Sequence, residues 1–321
     1  MPTEVRSTSL PLRRHLLGSA SLLCLALLLS EPAGAQDLNA RPAFLDRFYF
    51  SVEGSLLFNR SDANLSFAPG TIFDTIPSAE PGRGGGHAGV AIGGGLFPNW
   101  DWRLAWNGTW LGSQDIRADQ SVVIPATSTF PVRSSNQLWF QTFDAEVGYK
   151  MLAGPATLRL FVGPRVLNAK SDISYGYDDP GNKLGNFDHD VSLWGIGPRG
   201  GFEATVPLAN SPAFLSVTGS ASAIFSRVEH SFNFSSDLAL QPVVTGSQNF
   251  DGSRTIYNLE ASGSLGYRFT NMAAFQIGYR VQHWSDLATS VHVLDNVGGL
   301  TVGSTDVLVH GPFARFTMSL P

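Results

Sequence analysis

The sequence predicts an all-β fold: a closed antiparallel transmembrane β-barrel of about ten strands, with short periplasmic turns and long extracellular loops. Three observations carry that expectation. Only 15% of the 321 residues are charged, against roughly 25% in soluble domains. Mean hydropathy is nevertheless only +0.03, and no apolar run reaches the roughly 20 residues that a membrane helix needs. Apolar residues recur with period two, and no segment keeps a 3.6-residue period for three turns. Other classes fall away on composition. A pI of 5.8 disfavours a nucleic-acid binder. A single Cys excludes a disulfide framework. The 22 Phe and 7 Trp argue against disorder.

Residues 1–35 read as an export signal. Arg6, Arg13 and Arg14 precede an apolar stretch over 16–29, and Ala33-Gly34-Ala35 supplies a small-residue cleavage site. The Arg13-Arg14 pair also fits a twin-arginine signal, but that route exports folded proteins and a membrane barrel must fold after export. Cys24 lacks the small residue that a lipid-anchor site wants before it. Cleavage after Ala35 would leave a thiol-free chain, suited to an oxidising compartment. Residues 36–46 are then a periplasmic N-terminal segment and 47–321 the barrel.

Strands are expected in order. Over 47–58, Phe48, Phe50, Val52, Leu56 and Phe58 alternate with Ser51, Glu53 and Ser55. The same alternation marks 86–96 and 100–112. Over 136–151, Trp139, Phe143, Ala145, Val147, Tyr149 and Met151 oppose Thr142, Asp144, Glu146 and Lys150, with Gln141 a polar intruder. Strands follow at 156–170, 189–206 and 213–228. Over 255–269, Tyr257, Leu259, Ala261, Leu265 and Tyr267 oppose Asn258, Glu260, Ser262 and Arg268. Over 273–284, Phe275, Ile277, Tyr279 and Val281 oppose Gln276, Arg280 and Gln282. The last strand is 306–320. An even number suits a closed barrel with both termini on one side.

The connections alternate in length. Short ones fall at 97–99, 153–155, 207–212 and 270–271. Long ones fall at 59–85, 113–135, 171–188, 229–254 and 285–305, with turn formers at Pro69-Gly70, 178–182 and Asp251-Gly252. Soluble strands average about 5–6 residues, whereas these are long enough for the roughly 9–11 that a tilted strand needs to cross hydrocarbon. Trp100, Trp102, Trp106 and Trp110 share one face of the third strand. A buried Trp stripe would need a covering layer that the chain lacks. Trp102, Trp110, Trp139, Trp194, Tyr149, Tyr267 and Tyr279 are therefore assigned to the membrane-interface girdles.

Three stretches carry a family resemblance. Leu193-Trp194-Gly195-Ile196-Gly197-Pro198-Arg199-Gly200-Gly201-Phe202 resembles the Trp-Gly-x-Gly-Pro-Arg-x-Gly strand of the Legionella-type major outer membrane protein family. The stretch Gly278-Tyr279-Arg280-Val281-Gln282-His283-Trp284 is similar to that family's penultimate strand. His310-Gly311-Pro312-Phe313-Ala314-Arg315-Phe316 is similar to its closing strand. The three occur in the family's order and cover about a third of the barrel, mostly its C-terminal half. The resemblance implies a pore-forming outer-membrane barrel and brings no catalytic residues. The end of the chain departs from the pattern: it closes Met318-Ser319-Leu320-Pro321, where barrel assembly favours a terminal aromatic.

Chemical motifs are sparse. Gly195-Ile196-Gly197-Pro198-Arg199-Gly200 matches G-x-G-x-x-G, but strand on both sides and Pro198 exclude the helix a dinucleotide site needs. The glycines instead leave room for Arg199 to cross the lumen. His87, His189, His230, His283, His292 and His310 show no metal-ligand spacing. Asp188-His189-Asp190 reads as a solvated turn more readily than as a metal site. A rim protease built from Asp188, His189, Asp190, His230 and Asp286 is a minor alternative. No catalytic, cofactor-binding or metal residues are assigned, and a non-enzymatic role is expected.

The inward faces are more informative. They carry Arg103, Lys150, Arg159, Arg165, Arg199, Arg268, Arg280 and Arg315 against Glu53, Asp101, Asp144, Glu146, Glu203 and Glu260. Among these, Arg103, Arg159, Arg165, Arg199, Arg268, Arg280, Arg315, Glu53, Asp144, Glu146, Glu203 and Glu260 are the lumen-lining candidates. Most other carboxylates fall in the long connections. Arginine rings favour anions, so one reading is a narrow porin-like channel for small solutes or ions. Ten strands lie near the width at which side chains fill a barrel, so the other reading is a plugged, structural or adhesive barrel acting through its loops. Expected partners are outer-membrane lipid, the barrel-assembly machinery and small solutes or ions.

Overall fold

The computed structural model describes residues 48–61, 65–67, 84–112, 116–123, 127–179, 182–208, 211–236, 244–293 and 300–320. The export signal, the 36–46 segment and Pro69-Gly70 lie outside them. Twelve strands form one sheet: β1 (Tyr49–Ser61), β2 (Leu65–Phe67), β3 (Gly84–Phe97), β4 (Trp100–Leu111), β5 (Ile116–Val123), β6 (Thr127–Ala153), β7 (Ala156–Asp179), β8 (Asn182–Pro207), β9 (Ala213–Ser236), β10 (Val244–Arg268), β11 (Ala273–Val293) and β12 (Leu300–Ser319). Ten close a ring in chain order, each antiparallel to the next. β1 seals it by pairing with β12, where Glu53 faces Arg315. β2 lies parallel to β11, and β5 pairs only with β6.

Two short turns show why they are tight. Between β3 and β4, Pro98 precedes Asn99 at φ 70°, the Pro-then-left-handed pattern of a type II turn. Between β6 and β7, Gly154 takes φ 61°, the positive φ that two-residue hairpins need.

The strands run further than the sequence reading placed them. The predicted loops at 171–188 and 229–254 are largely strand, as are 127–135, 285–293 and 300–305. Asp251-Gly252 is not a turn but part of β10, paired with Glu229 and Val228. The physical reason is a switch in polarity along each strand. On β9, outward Leu215, Val217, Ala221, Ala223 and Phe225 give way to outward Arg227, Glu229, Ser231 and Asn233. Inward Ser216, Ser220 and Ser222 give way to inward Ile224, Val228 and Phe232. β7 switches likewise, with inward Arg159 and Arg165 followed by Leu167, Ala169 and Ile173, and outward Leu160 and Val162 followed by Lys170 and Asp172.

The barrel therefore has two storeys. Near the short turns it is apolar outside and polar inside; beyond the switch it is polar outside and apolar inside. The apolar outer band spans about a dozen residues per strand, which at usual strand tilt gives the roughly 25 Å of a bilayer's hydrocarbon. The second storey is built like a water-soluble barrel, with its core in the lumen.

Three Gly-Pro dipeptides interrupt the ladders. At Gly163-Pro164, Gly197-Pro198 and Gly311-Pro312 the regular pairing to β6, β9 and β1 breaks. Proline has no N–H to give a central ladder, and the neighbouring strand moves in against the glycine. A Cβ on Gly197 would stand 1.8 Å from the Ala223 carbonyl oxygen, and one on Gly311 would stand 1.9 Å from that of Leu56. This corrects the reading of the Gly195–Gly201 glycines. Gly197 and Gly201 do flank Arg199 on the inner face, but the glycine at 197 is required by a backbone, not by the Arg199 side chain.

Candidate functional site

The lumen of the first storey is a layer of ion pairs. Alternation on β1, β4, β6, β7, β8, β10, β11 and β12 turns every one of the predicted lumen residues inward. At its centre, Arg165 grips Asp144 with two bonds, from Nε at 2.6 Å and from Nη2 at 2.9 Å. Its Nη1 donates across the lumen to Glu260 at 2.7 Å and Asn258 at 2.6 Å. Arg199 bonds Glu146, and also Glu260 and Ser220 at 3.1 and 3.0 Å. Glu146 further accepts from Arg103 at 2.9 Å and Arg159 at 3.2 Å. Arg159 holds Asp101 at 2.8 Å, which Lys150 also approaches at 3.2 Å. Arg103 reaches Glu203 at 3.4 Å. On the opposite wall Glu53 takes Arg315 at 2.7 Å and Arg280.

Arg268 is the exception: among the described residues it has no carboxylate partner, and its guanidinium instead lies 5.0 Å from the Phe214 ring centre. Two inward aromatics, which the alternation places but charge alone does not reveal, organise the layer. Phe161 is ringed by Arg103, Arg159 and Arg199 at 5.3, 5.1 and 5.0 Å. Phe313 lies between Arg280 and Arg315. His87 joins through Thr109 at 3.1 Å and Arg280.

A lid of apolar side chains covers this layer. Leu57, Leu111, Leu138, Phe140, Leu167, Leu193, Ile224, Ile256, Trp284 and Val309 are buried in one cluster. Together they reach in from nine of the ten ring strands. Trp284 joins the two layers: its ring meets Phe140 edge-on at 5.2 Å, and Arg165 lies over it at 5.7 Å. Reading inward faces only for charge misses this lid, although Leu138, Phe140, Leu167 and Trp284 all sit at inward positions.

Higher still, His189 and His230 stack with Phe232 and Phe250, and His189 Nε2 lies 3.2 Å from His230 Nδ1. Burial pushes both imidazoles down, to about 3 and about 4. Nearby Arg254, which donates to the Leu287 carbonyl at 3.0 Å, is lowered by burial to about 10. Asp188 and Asp190 point outward from the same strand, so the Asp188-His189-Asp190 triplet does not converge on a metal or a substrate. Asp286 (φ 57°) sits in a bulge of β11, where its backbone N–H donates to Asp306 at 3.1 Å. Among the described residues no three His, Cys, Asp or Glu are placed to hold a metal ion.

The seven girdle aromatics all lie on the outer face. Trp102 lies 6.1 Å from Phe48, and Tyr149 lies 5.1 Å from Trp100, both at the short-turn end. Tyr267 packs beside Phe269 near the next short turn but one. Trp110 and Trp139 pair directly at the polarity switch, and Trp194 is level with Arg227 there. Tyr279 sits between the two levels, its hydroxyl 2.6 Å from His310 Nδ1.

One substitution pair separates the inner from the outer face. Arg199→Leu removes one of the cations that hold Glu146 and Glu260 and is expected to lower the unfolding temperature by about 10 °C or more. Arg60→Leu, on the outer face, should change it by a degree or two; thermal unfolding in detergent reads the difference.

A closed ring with an oily belt, aromatic borders and a charged interior defines the class as a β-barrel of the outer membrane. Within that class the chain belongs to the family described as the Legionella pneumophila major outer membrane protein precursor, whose model matches residues 95–320. That match extends well beyond the three motifs read from the sequence, leaving only β1, β2 and most of β3 before it. No curated protein matches in sequence. Solved structures similar to the chain include the outer membrane protease OmpT from Escherichia coli (14% identity, 86% of this chain and 97% of that one, TM-score 0.47). A major outer membrane protein from Thermus thermophilus is also similar (15% identity, 84% and 99%, TM-score 0.32). So is the Pseudomonas putida toluene transporter TodX (8% identity, 87% and 91%, TM-score 0.34).

Proposed function

We propose that this protein is a non-conducting, non-enzymatic surface barrel that acts through its extracellular storey. One observation carries the reading: the apolar lid, contributed by nine strands, lies across the lumen above a layer whose arginines, Arg268 apart, are bound to carboxylates. An ion on that path would have to leave water, break buried pairs and enter a hydrocarbon-like core, each step costing several kcal/mol. The proposal includes export by a signal cleaved after Ala35, insertion by the barrel-assembly machinery, and contact with outer-membrane lipid along the apolar belt.

Planar-bilayer recording tests it. Folded protein, verified by its heat-dependent gel shift, should give no steady conductance steps. The competing reading, a narrow porin-like passage for small solutes or ions, draws support from the excess of inward arginine. It requires steady steps and an anion-directed reversal potential in a salt gradient, and those would overturn the closed barrel.

A further inference from the structure

Eight inward cations of the first storey face six inward carboxylates, an excess of two positive charges in a compartment enclosed by lipid. The excess is not spread evenly. The central arginines are paired with carboxylates, whereas Arg268, near the periplasmic end of β10, has among the described residues only the face of Phe214. Enclosed charge without a counter-charge is unfavourable, and the described residues do not supply one.

The space around Arg268 is suited to a ligand. The lumen holds a cavity of about 190 Å³, and at the periplasmic end its lining includes Arg268, Gln276, Arg315, Thr205, Thr218 and Thr317. Gln276 lies opposite Arg315 in the register. Its Oε1 takes a hydrogen bond from Ser264 Oγ at 3.3 Å, so its amide nitrogen is the end left to donate. Arg315 spends Nε and Nη2 on Glu53 and is 22% exposed at its side chain. A guanidinium with free N–H groups, an amide donor and threonine hydroxyls is a donor set that recognises an oxyanion; Glu203, opposite Thr218, lines the same cavity and is held by Arg103 at 3.4 Å.

We propose that the periplasmic end of the lumen is a binding site for a small oxyanion of the phosphate class, with Arg268 as its principal cation. The site lies at the short-turn end of a cavity that reaches the underside of the lid at Phe140 and Trp284, so it stands whether or not the barrel conducts.

Inorganic phosphate is the probe. The full chain is purified in a non-ionic detergent free of phospholipid, and thermal unfolding is followed in phosphate against chloride at matched ionic strength and pH. Wild type should gain stability saturably with phosphate. Arg268→Gln should raise the half-saturating concentration at least about tenfold, the loss of one charge-assisted contact. Arg268→Lys, which keeps the charge but loses the fork, should fall between the two. Arg227→Gln, on the outer face beside Asp251, should match wild type. If Arg268→Gln fails to reach the compact heat-modifiable band, Arg268→Lys decides: a half-saturating concentration equal to wild type overturns the proposal. So does a wild type that responds to phosphate no more than to chloride.

Discussion

Arg165→Met is expected to be the most destabilising single substitution in the first storey. Arg165 is 1% exposed at its side chain and touches two carboxylates and Asn258. Methionine fills most of the volume but leaves Asp144 and Glu260 facing the lumen with less compensation. Removing one partner of a buried pair typically costs about 3–5 kcal/mol. In a detergent-solubilised barrel this should appear as loss of the compact heat-modifiable band, or as an unfolding midpoint lowered by well over 10 °C. The asymmetry between breaking a pair and replacing it makes the prediction sharper. Adding Asp144→Leu to Arg165→Met removes the stranded charge and should recover at least half of the loss. Arg227→Met, an exposed cation beside Asp251, should leave stability nearly unchanged. An Arg165→Met barrel as stable as the Arg227→Met one would mean that the ionic layer is solvated and that the lumen is wetter than its geometry implies.

Much of this interior is legible in the sequence, for a simple reason. On a bilayer-spanning strand the solvent chooses one face, so a period-two reading fixes which face holds Glu53, Asp144, Arg165 or Arg315. The short turns are legible because Pro98-Asn99 and Gly154 are local devices. What escaped is what depends on height. Beyond the polarity switch the same alternation continues in the opposite sense, so polar outward residues such as Asp172 and Glu229 look like loop. For the same reason Leu167 and Ile224 have no obvious place in a polar lumen. Their inward parity, continuous with Arg165 and Ser222, was the available signal. Pairing choices escaped as well: parity puts Arg268 inward but cannot show that Phe214, rather than a carboxylate, receives it. Gly197 looks like clearance for Arg199 because the approach of Ala223 from the next strand is a property of the ladder, not of the local sequence.

Mild acid is expected to loosen the extracellular storey through His189 and His230. Both sit above the polarity switch, inside a stack of Phe232 and Phe250, with Arg254 the adjacent inward cation and Asp190 turned to the outside. Their unfolded pKa is the ordinary 6.5, and burial holds them at about 3 and about 4 in the fold. Near pH 7 both states are largely neutral and the histidines favour neither. As pH falls below about 6.5 the unfolded chain takes up protons that the folded storey refuses, so stability declines until the folded imidazoles themselves titrate. By pH 5 both histidines therefore oppose the fold. Hydrogen exchange at the amides of β8 and β9 near these residues should therefore quicken between pH 7 and pH 5 by more than the intrinsic rate predicts. The double variant His189→Phe, His230→Phe keeps the aromatic stack and removes both titrating groups, so its protection should be nearly independent of pH over that range. If wild type and the double variant respond alike, the acid sensitivity belongs to other groups, and not to Asp172, whose carboxyl, raised by burial and by Asp190 beside it, favours the fold as pH falls.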